Sequence, residues 1–338
     1  MKKRILTLML SAAMVFSLAA CGSTSGGSSS DSGQAADSGS AEDSSDEKPE
    51  TITIQSRNAE GELTDVEVPY DPERIAILDM ACLDILDNLG VGDRVVGSAS
   101  TSLDYLQDYV TNEEIVNLGT IKEADMEAVM ECEPDIIFIG GRLSSSYDAL
   151  NEIAPVVYLA TDSEAGVVES VRTNASTIAS IFGLEDKVDE LMADFDSRIE
   201  ALSQFAEGKT AIIGMCTSGS FNVLGNDGRC SIIGKEIGFD NIGVDSNIDT
   251  ATHGNEASFE FVVEKNPEYI FVMDRDAAIG TDGAQLAQEI MENELVMGTD
   301  AYKNGNVVYL AHPAVWYTAE GGVTALNLML QDLENELL

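Results

Sequence analysis

Residues 125–142 read DMEAVMECEPDIIFIGGR, and residues 258–275 read SFEFVVEKNPEYIFVMDR. Aligned without gaps, they share Glu127/Glu260, Val129/Val262, Glu131/Glu264, Pro134/Pro267, Ile137/Ile270, Phe138/Phe271 and Arg142/Arg275, seven identities in eighteen positions. Each copy reads as a helix stopped at a proline, then a short apolar strand, then an arginine. A unit written once in each half of the folded region predicts a chain built from two similar α/β halves.

A second, looser pairing joins residues 74–97 to residues 210–244. Each begins with an apolar strand, ends its helix at a glycine (Leu89-Gly90 and Ile237-Gly238) and returns to a strand. Ahead of both, Thr51-Ile52-Thr53-Ile54 alternates, a turn follows near residues 58–61, and residues 63–68 resume the alternation, which reads as a hairpin. Strands alternating with helices favour a parallel sheet covered by helices. Between the halves, Val188, Leu191, Phe195, Ile199, Leu202 and Phe205 recur at helical spacing, which predicts one long helix over residues 184–206. The expected fold is therefore α/β: two Rossmann-like lobes with mostly parallel central sheets, joined by one long α-helix, with a ligand cleft between the lobes. The expected limits are an N-terminal lobe over residues 51–183, a connecting helix over 184–208 and a C-terminal lobe over 209–338. A single rigid connector suits limited opening rather than wide hinge motion.

The chain carries 60 acidic and 18 basic residues in 338, a net charge of −42. That balance excludes an electrostatic footprint for nucleic acid and adhesion to an anionic lipid surface by charge. Two histidines, His253 and His312, are too few for a histidine-rich metal site. Residues 1–4 are basic and residues 5–20 form one apolar stretch, the pattern of an export signal too short for a comfortable span. The stretch ends Leu18-Ala19-Ala20-Cys21, which resembles a bacterial lipobox and implies acylation of Cys21 at the outer face of the cell membrane. Residues 22–50 are almost all Ser, Gly, Ala and acids with no aromatic, a composition that cannot offset its own ordering entropy and reads as a disordered tether. As a coil it would reach ~30 Å. Cys82, Cys132, Cys216 and Cys230 form no Cys-x-x-Cys pair and read as small buried residues, with no pairing named.

Open parallel sheets bind ligands beyond the carboxyl ends of their strands. Arg142 and Arg275 each follow a buried strand, one per lobe, and so would face one cleft. Arg229 lies in Gly225-Asn226-Asp227-Gly228-Arg229, a turn opening a helix, where N–H groups favour an anion. His253, in a loop before the repeated helix, and Tyr317, after a strand over residues 307–310, pair an imidazole with a potential phenolate. Both suit Fe(III) if a ligand fills the other four positions. His312, beside Pro313, reads as structural.

At these residues the folded part resembles the iron-siderophore substrate-binding proteins of ABC importers, the class whose two lobes are joined by one helix. The matching stretches are Gly140-Gly141-Arg142, residues 225–229, Thr252-His253-Gly254, residues 274–280, Asn293-Glu294-Leu295-Val296 and Trp316-Tyr317, and they are similar to the branch that captures ferric catecholates. The resemblance implies that Arg142, Arg229 and Arg275 neutralise catecholate oxygens. It implies that His253 and Tyr317 complete iron coordination when the siderophore is tetradentate. It also implies that Glu127 and Glu260 dock one lobe each onto a membrane permease with its cytoplasmic ATPase; the residues alone read as ordinary acidic first turns of helices. Cys230 departs from the family's usual aromatic residue there. No enzyme activity and no intrinsic cofactor are implied, only an Fe(III)-siderophore as cargo, a monomer and a lipid anchor. Haem or a corrinoid on the same scaffold is the nearest rival cargo, disfavoured by three arginines. A surface hydrolase would need a nucleophile elbow, and no Gly-x-Ser-x-Gly occurs.

Overall fold

In the computed structural model, residues 48–244 and 254–338 are described. The expected export signal, Cys21, most of the tether and His253 lie outside them.

The two copies of the repeat fold alike, for local reasons. Asp125 accepts the N–H groups of Glu127 and Ala128 and so caps helix Met126–Glu131; Ser258 accepts from Phe261 and caps helix Phe259–Lys265. After each helix one residue turns left-handed, Glu133 at φ 43° and Asn266 at φ 41°, and each is followed by a buried proline. Proline disfavours the helical region for its predecessor, so the helix cannot continue. Strands Ile136–Ile139 and Tyr269–Asp274 follow, and their inner residues are buried on both faces.

Each half builds its own sheet around its copy. In the first, Val116–Asn117, Val95–Ser98, Ile75–Leu78, Ile136–Ile139 and Val156–Tyr158 lie side by side, all parallel. In the second, Thr210–Thr217, Tyr269–Asp274 and Val307–Tyr309 are parallel, Asp240–Asn241 pairs with the start of Thr210–Thr217, and Ser220–Val223 folds back antiparallel. Thr51–Arg57 and Leu63–Pro69 form the expected antiparallel hairpin. Ser56 Oγ accepts the Tyr158 N–H at 2.9 Å and ties that hairpin to the first sheet.

The segment expected as one connecting helix is helical in two pieces, Asp186–Leu191 and Phe195–Ala206. Between them the Met192 N–H still reaches Val188 four residues back, but the Ala193 N–H reaches only three residues back, to Glu190. The pieces follow different neighbours: the first continues from helix Val167–Phe182, and the second packs on the last helix, Val323–Leu337. There Arg198 binds Glu334 and Asn327, both at 2.7 Å. The apolar phase survives the break, since Val188, Met192, Phe195 and Leu202 all stay buried.

The last helix also packs on helix Met80–Leu89 of the first half. The contact turns on Asp84, which is fully buried. Its Oδ1 accepts the Thr324 N–H at 2.9 Å and Asn88 Nδ2 at 2.7 Å; its Oδ2 accepts the Ala325 N–H at 2.9 Å and the Tyr105 hydroxyl at 3.2 Å. A carboxylate from one end of the chain thus caps a helix at the other. Burial pushes Asp84 up to about 6, and the hydrogen bonds from Thr324, Ala325 and Tyr105 keep it from rising further. Gly322 precedes the helix because any Cβ there would collide with this carboxylate. Asp84→Ala leaves two helix N–H groups and a phenol unpaired in the interior. It should lower the unfolding free energy by about 2–4 kcal/mol in urea titrations at pH 7. A loss within error of zero would show that the cap does not hold the two halves together.

Candidate functional site

Arg142, Arg229, Arg275 and Tyr317 converge. Arg142 lies in the 3₁₀ turn Gly141–Ser146 just after strand Ile136–Ile139, and Arg275 opens the short helix Arg275–Ala278 just after Tyr269–Asp274. Arg229 ends the turn before helix Ser231–Lys235. Tyr317 is carried by helix Pro313–Thr318, whose N-terminal end is set by Asp332. That buried carboxylate accepts the His312 N–H at 3.0 Å and the Trp316 indole N–H at 2.9 Å, and meets His312 Nδ1 at 2.6 Å. His312 therefore has the structural place expected of it.

All three guanidinium groups surround the Tyr317 ring, at 5.9 Å for Arg142, 4.4 Å for Arg229 and 5.5 Å for Arg275. Arg142 Nη2 and Arg229 Nε both donate to the Tyr317 carbonyl, at 3.2 and 3.3 Å, and Arg275 Nε donates to its hydroxyl at 3.0 Å. Thr217 and the buried Asp276 steady Arg275, at 3.2 and 3.3 Å from Nη1. Burial opposes ionisation of Tyr317, but the hydrogen bond from Arg275 and the charges of Arg229, Arg275 and Lys122 outweigh it and hold the phenol below its ordinary range. Arg142 is depressed, first by burial and then by Arg229. The cluster is a half-buried wall of like charge, and it favours any anion that neutralises it.

Two chambers flank this wall. One, of about 440 Å³, is lined by Arg142, Tyr317, Ser100, Lys122 and Ile279; the other, of about 290 Å³, by Asp79, Arg142, Arg229, Tyr317 and Glu320. Lys122 and Asp79 did not emerge from the sequence pattern. Asp79 follows strand Ile75–Leu78 directly and caps the next helix through the Cys82 N–H. Applying the strand-end rule to that strand as well would have found it. Gly140 has no side chain because a Cβ would strike the Asp79 carboxylate. Burial raises Asp79 and the nearby Arg142 charge lowers it, with burial dominant. Lys122 sits in a two-residue hairpin, Gly119–Thr120 with Glu123–Ala124, for which the sequence shows no ligand signal.

Glu127 and Glu260 stand exposed in the first turns of the two repeat helices. Cys82, Cys132, Cys216 and Cys230 are buried and unpaired, and burial raises all four thiols.

The family model described as periplasmic binding protein matches residues 75–314, a range that holds both sheets and Arg142, Arg229 and Arg275 and ends just short of Tyr317. The chain belongs to the periplasmic binding protein family. Members are substrate-binding proteins. The petrobactin-binding protein YclQ of Bacillus subtilis strain 168 is 32% identical to this periplasmic binding protein over 337 residues, covering 99% of each chain. Its crystal structure matches with a TM-score of 0.77 over 86% of this chain and 99% of that one, at 33% identity. The catecholate-siderophore binding protein VctP of Vibrio cholerae matches with a TM-score of 0.76, at 30% identity, over 85% and 100% of the two chains. The iron uptake ABC transporter substrate-binding protein PiuA of Streptococcus pneumoniae matches with a TM-score of 0.77, at 32% identity, over 86% and 99%.

Of the tyrosines, burial raises Tyr105, Tyr109, Tyr147, Tyr269 and Tyr309, while Tyr317 is lowered. A spectrophotometric alkaline titration should therefore show an early phenolate step that Tyr317→Phe removes. An unchanged first step in the variant would mean that the arginines do not act on this phenol.

Proposed function

We propose that this periplasmic binding protein is the substrate-binding component of an ABC importer and captures a ferric catecholate siderophore. The observation that carries this reading is the ring of three guanidinium groups around Tyr317. Catecholate oxygens bound to Fe(III) keep negative charge on a compact, rigid anion. Three partly buried arginines offer it charge-assisted hydrogen bonds in a cleft where water competes poorly. Among its relatives, one is named for petrobactin and another for catecholate siderophores, which supports the same cargo class. Iron is cargo here. Where the siderophore supplies four donors, Tyr317 and His253 would supply the last two, and the lowered Tyr317 phenol suits a hard ferric centre.

Trp316 is the chain's one tryptophan, is fully buried and adjoins Tyr317, so its emission should report binding. Titration with a ferric catecholate should quench it at much lower concentration than the iron-free compound. Arg229→Ala should weaken binding by about tenfold to a hundredfold, or ~1.4–3 kcal/mol. With a tetradentate catecholate, the ferric charge-transfer band should shift on binding and fail to shift in Tyr317→Phe. Equal affinity with and without iron would count against the cargo, and haem displacing the catecholate would favour the rival ligand.

The remaining parts of the proposal concern the membrane. Acylated Cys21 would hold the protein at the outer face of the cell membrane, and residues 22–50 would let it move there as a tether. Exposed Glu127 and Glu260, one on each half, would dock onto basic residues of the permease. In cells, Glu127→Ala with Glu260→Ala should abolish uptake while ligand affinity in vitro is unchanged, and Cys21→Ser should release the protein to the medium. Normal uptake by the double variant would remove the docking role from these residues.

A further inference from the structure

Arg229 is the arginine nearest the Tyr317 ring, yet it rises from a turn rather than a strand end. What holds that turn is a carboxyl group in the rear chamber. Cys230, the next residue, has φ 60°, a left-handed conformation that a non-glycine residue adopts only under constraint. Its N–H donates to Glu320 Oε1 at 2.9 Å, while Arg229 Nε donates to the Tyr317 carbonyl at 3.3 Å. Two bonds, one on each side of a peptide, therefore fasten the Arg229 turn to the segment 317–320. We infer that Glu320 is the positioning residue for Arg229: by clamping the Cys230 peptide to the Tyr317 segment, it aims that guanidinium at the bound anion. The inference rests on the proposed anion-binding role of this wall.

A carboxyl group so close to the cations would be self-defeating if it were ionised, since it would cancel the charge it positions. Its surroundings prevent that. Burial in the 290 Å³ chamber pushes Glu320 up to about 8; the Cys230 N–H and Arg229 lower it, and Glu236 raises it. The other ionisable groups facing the chamber are Asp79, Cys82, Arg142 and Tyr317. Near neutral pH Glu320 is then mostly a neutral acid, which accepts the peptide N–H without placing a negative charge beside Arg229. The sign follows. Above about pH 8 Glu320 ionises and pairs with Arg229, so affinity for an anion falls with rising pH.

The test compares the unsubstituted protein, Glu320→Gln and Glu320→Ala, using a ferric catecholate as ligand and Trp316 emission as readout. Glutamine keeps an acceptor for Cys230 and has no charge to gain. Its affinity at pH 7 should lie within about twofold of the unsubstituted protein, with a smaller loss of affinity between pH 7 and pH 9. Glu320→Ala should bind about tenfold more weakly at pH 7, a change of about 1.4 kcal/mol. Hydrogen exchange without ligand gives an independent readout: amides around Cys230 should lose protection in Glu320→Ala and keep it in Glu320→Gln. Unchanged exchange in Glu320→Ala overturns the inference whatever the ligand, as does a glutamine variant that binds as weakly as the alanine variant. If the unsubstituted protein ignores ferric catecholates while exchange changes as expected, the cargo is wrong and the positioning role stands.

Discussion

Three guanidinium groups crowd one tyrosine ring, and their mutual repulsion is the constraint around which this molecule is arranged. Like charges stay together in a half-buried place only if something else holds each of them. Here the Tyr317 carbonyl accepts from two, its hydroxyl accepts from the third, and Thr217 and Asp276 steady the last from behind. Two carboxyl groups, Asp79 and Glu320, line the chamber beside Arg142 and Arg229, and burial raises both. Three positive charges gathered in one half-buried place favour an anion there. The net charge of −42 describes the chain as a whole, and the local field at Tyr317 opposes it, because three arginines are gathered there.

Such a wall works only if the two halves stay in register. Two strand ends, one turn and one late helix must meet within a few ångströms, and no short segment supplies more than one of them. The last helix performs the joining. It is capped by Asp84 from the first half and held by Arg198 from the connector. From within it, Asp332 anchors the helix that carries Tyr317. Buried polar networks of this kind are costly when half satisfied, so they favour one arrangement over nearby alternatives. A broken connector is compatible with this, since each of its pieces follows the partner it packs against.

Most of the architecture was legible along the chain. The paired stretches around Pro134 and Pro267 share helix caps, left-handed stops at Glu133 and Asn266 and buried strands, and each of these is a local property with a sequence signature. Arg142 and Arg275 were found because strand ends in such sheets face the cleft. The interruption of the connector between Leu191 and Phe195 has no sequence signature, because an apolar phase reports which face is buried and is silent on whether the hydrogen-bond ladder gives way. Lys122, Asp79 and Glu320 escaped notice for a related reason: their roles come from chamber walls assembled from distant segments.

By itself, then, the sequence determined the α/β class, the duplication and the strand-end arginines, because helix stops, strand burial and repeat identity are short-range facts. Only the tertiary structure decided that Arg142, Arg229 and Arg275 share one tyrosine, that Asp84 caps a helix from the opposite end of the chain, and that Glu320 accepts the Cys230 N–H beside Arg229. Those outcomes depend on distance, burial and mutual field, which exist once the segments are packed together.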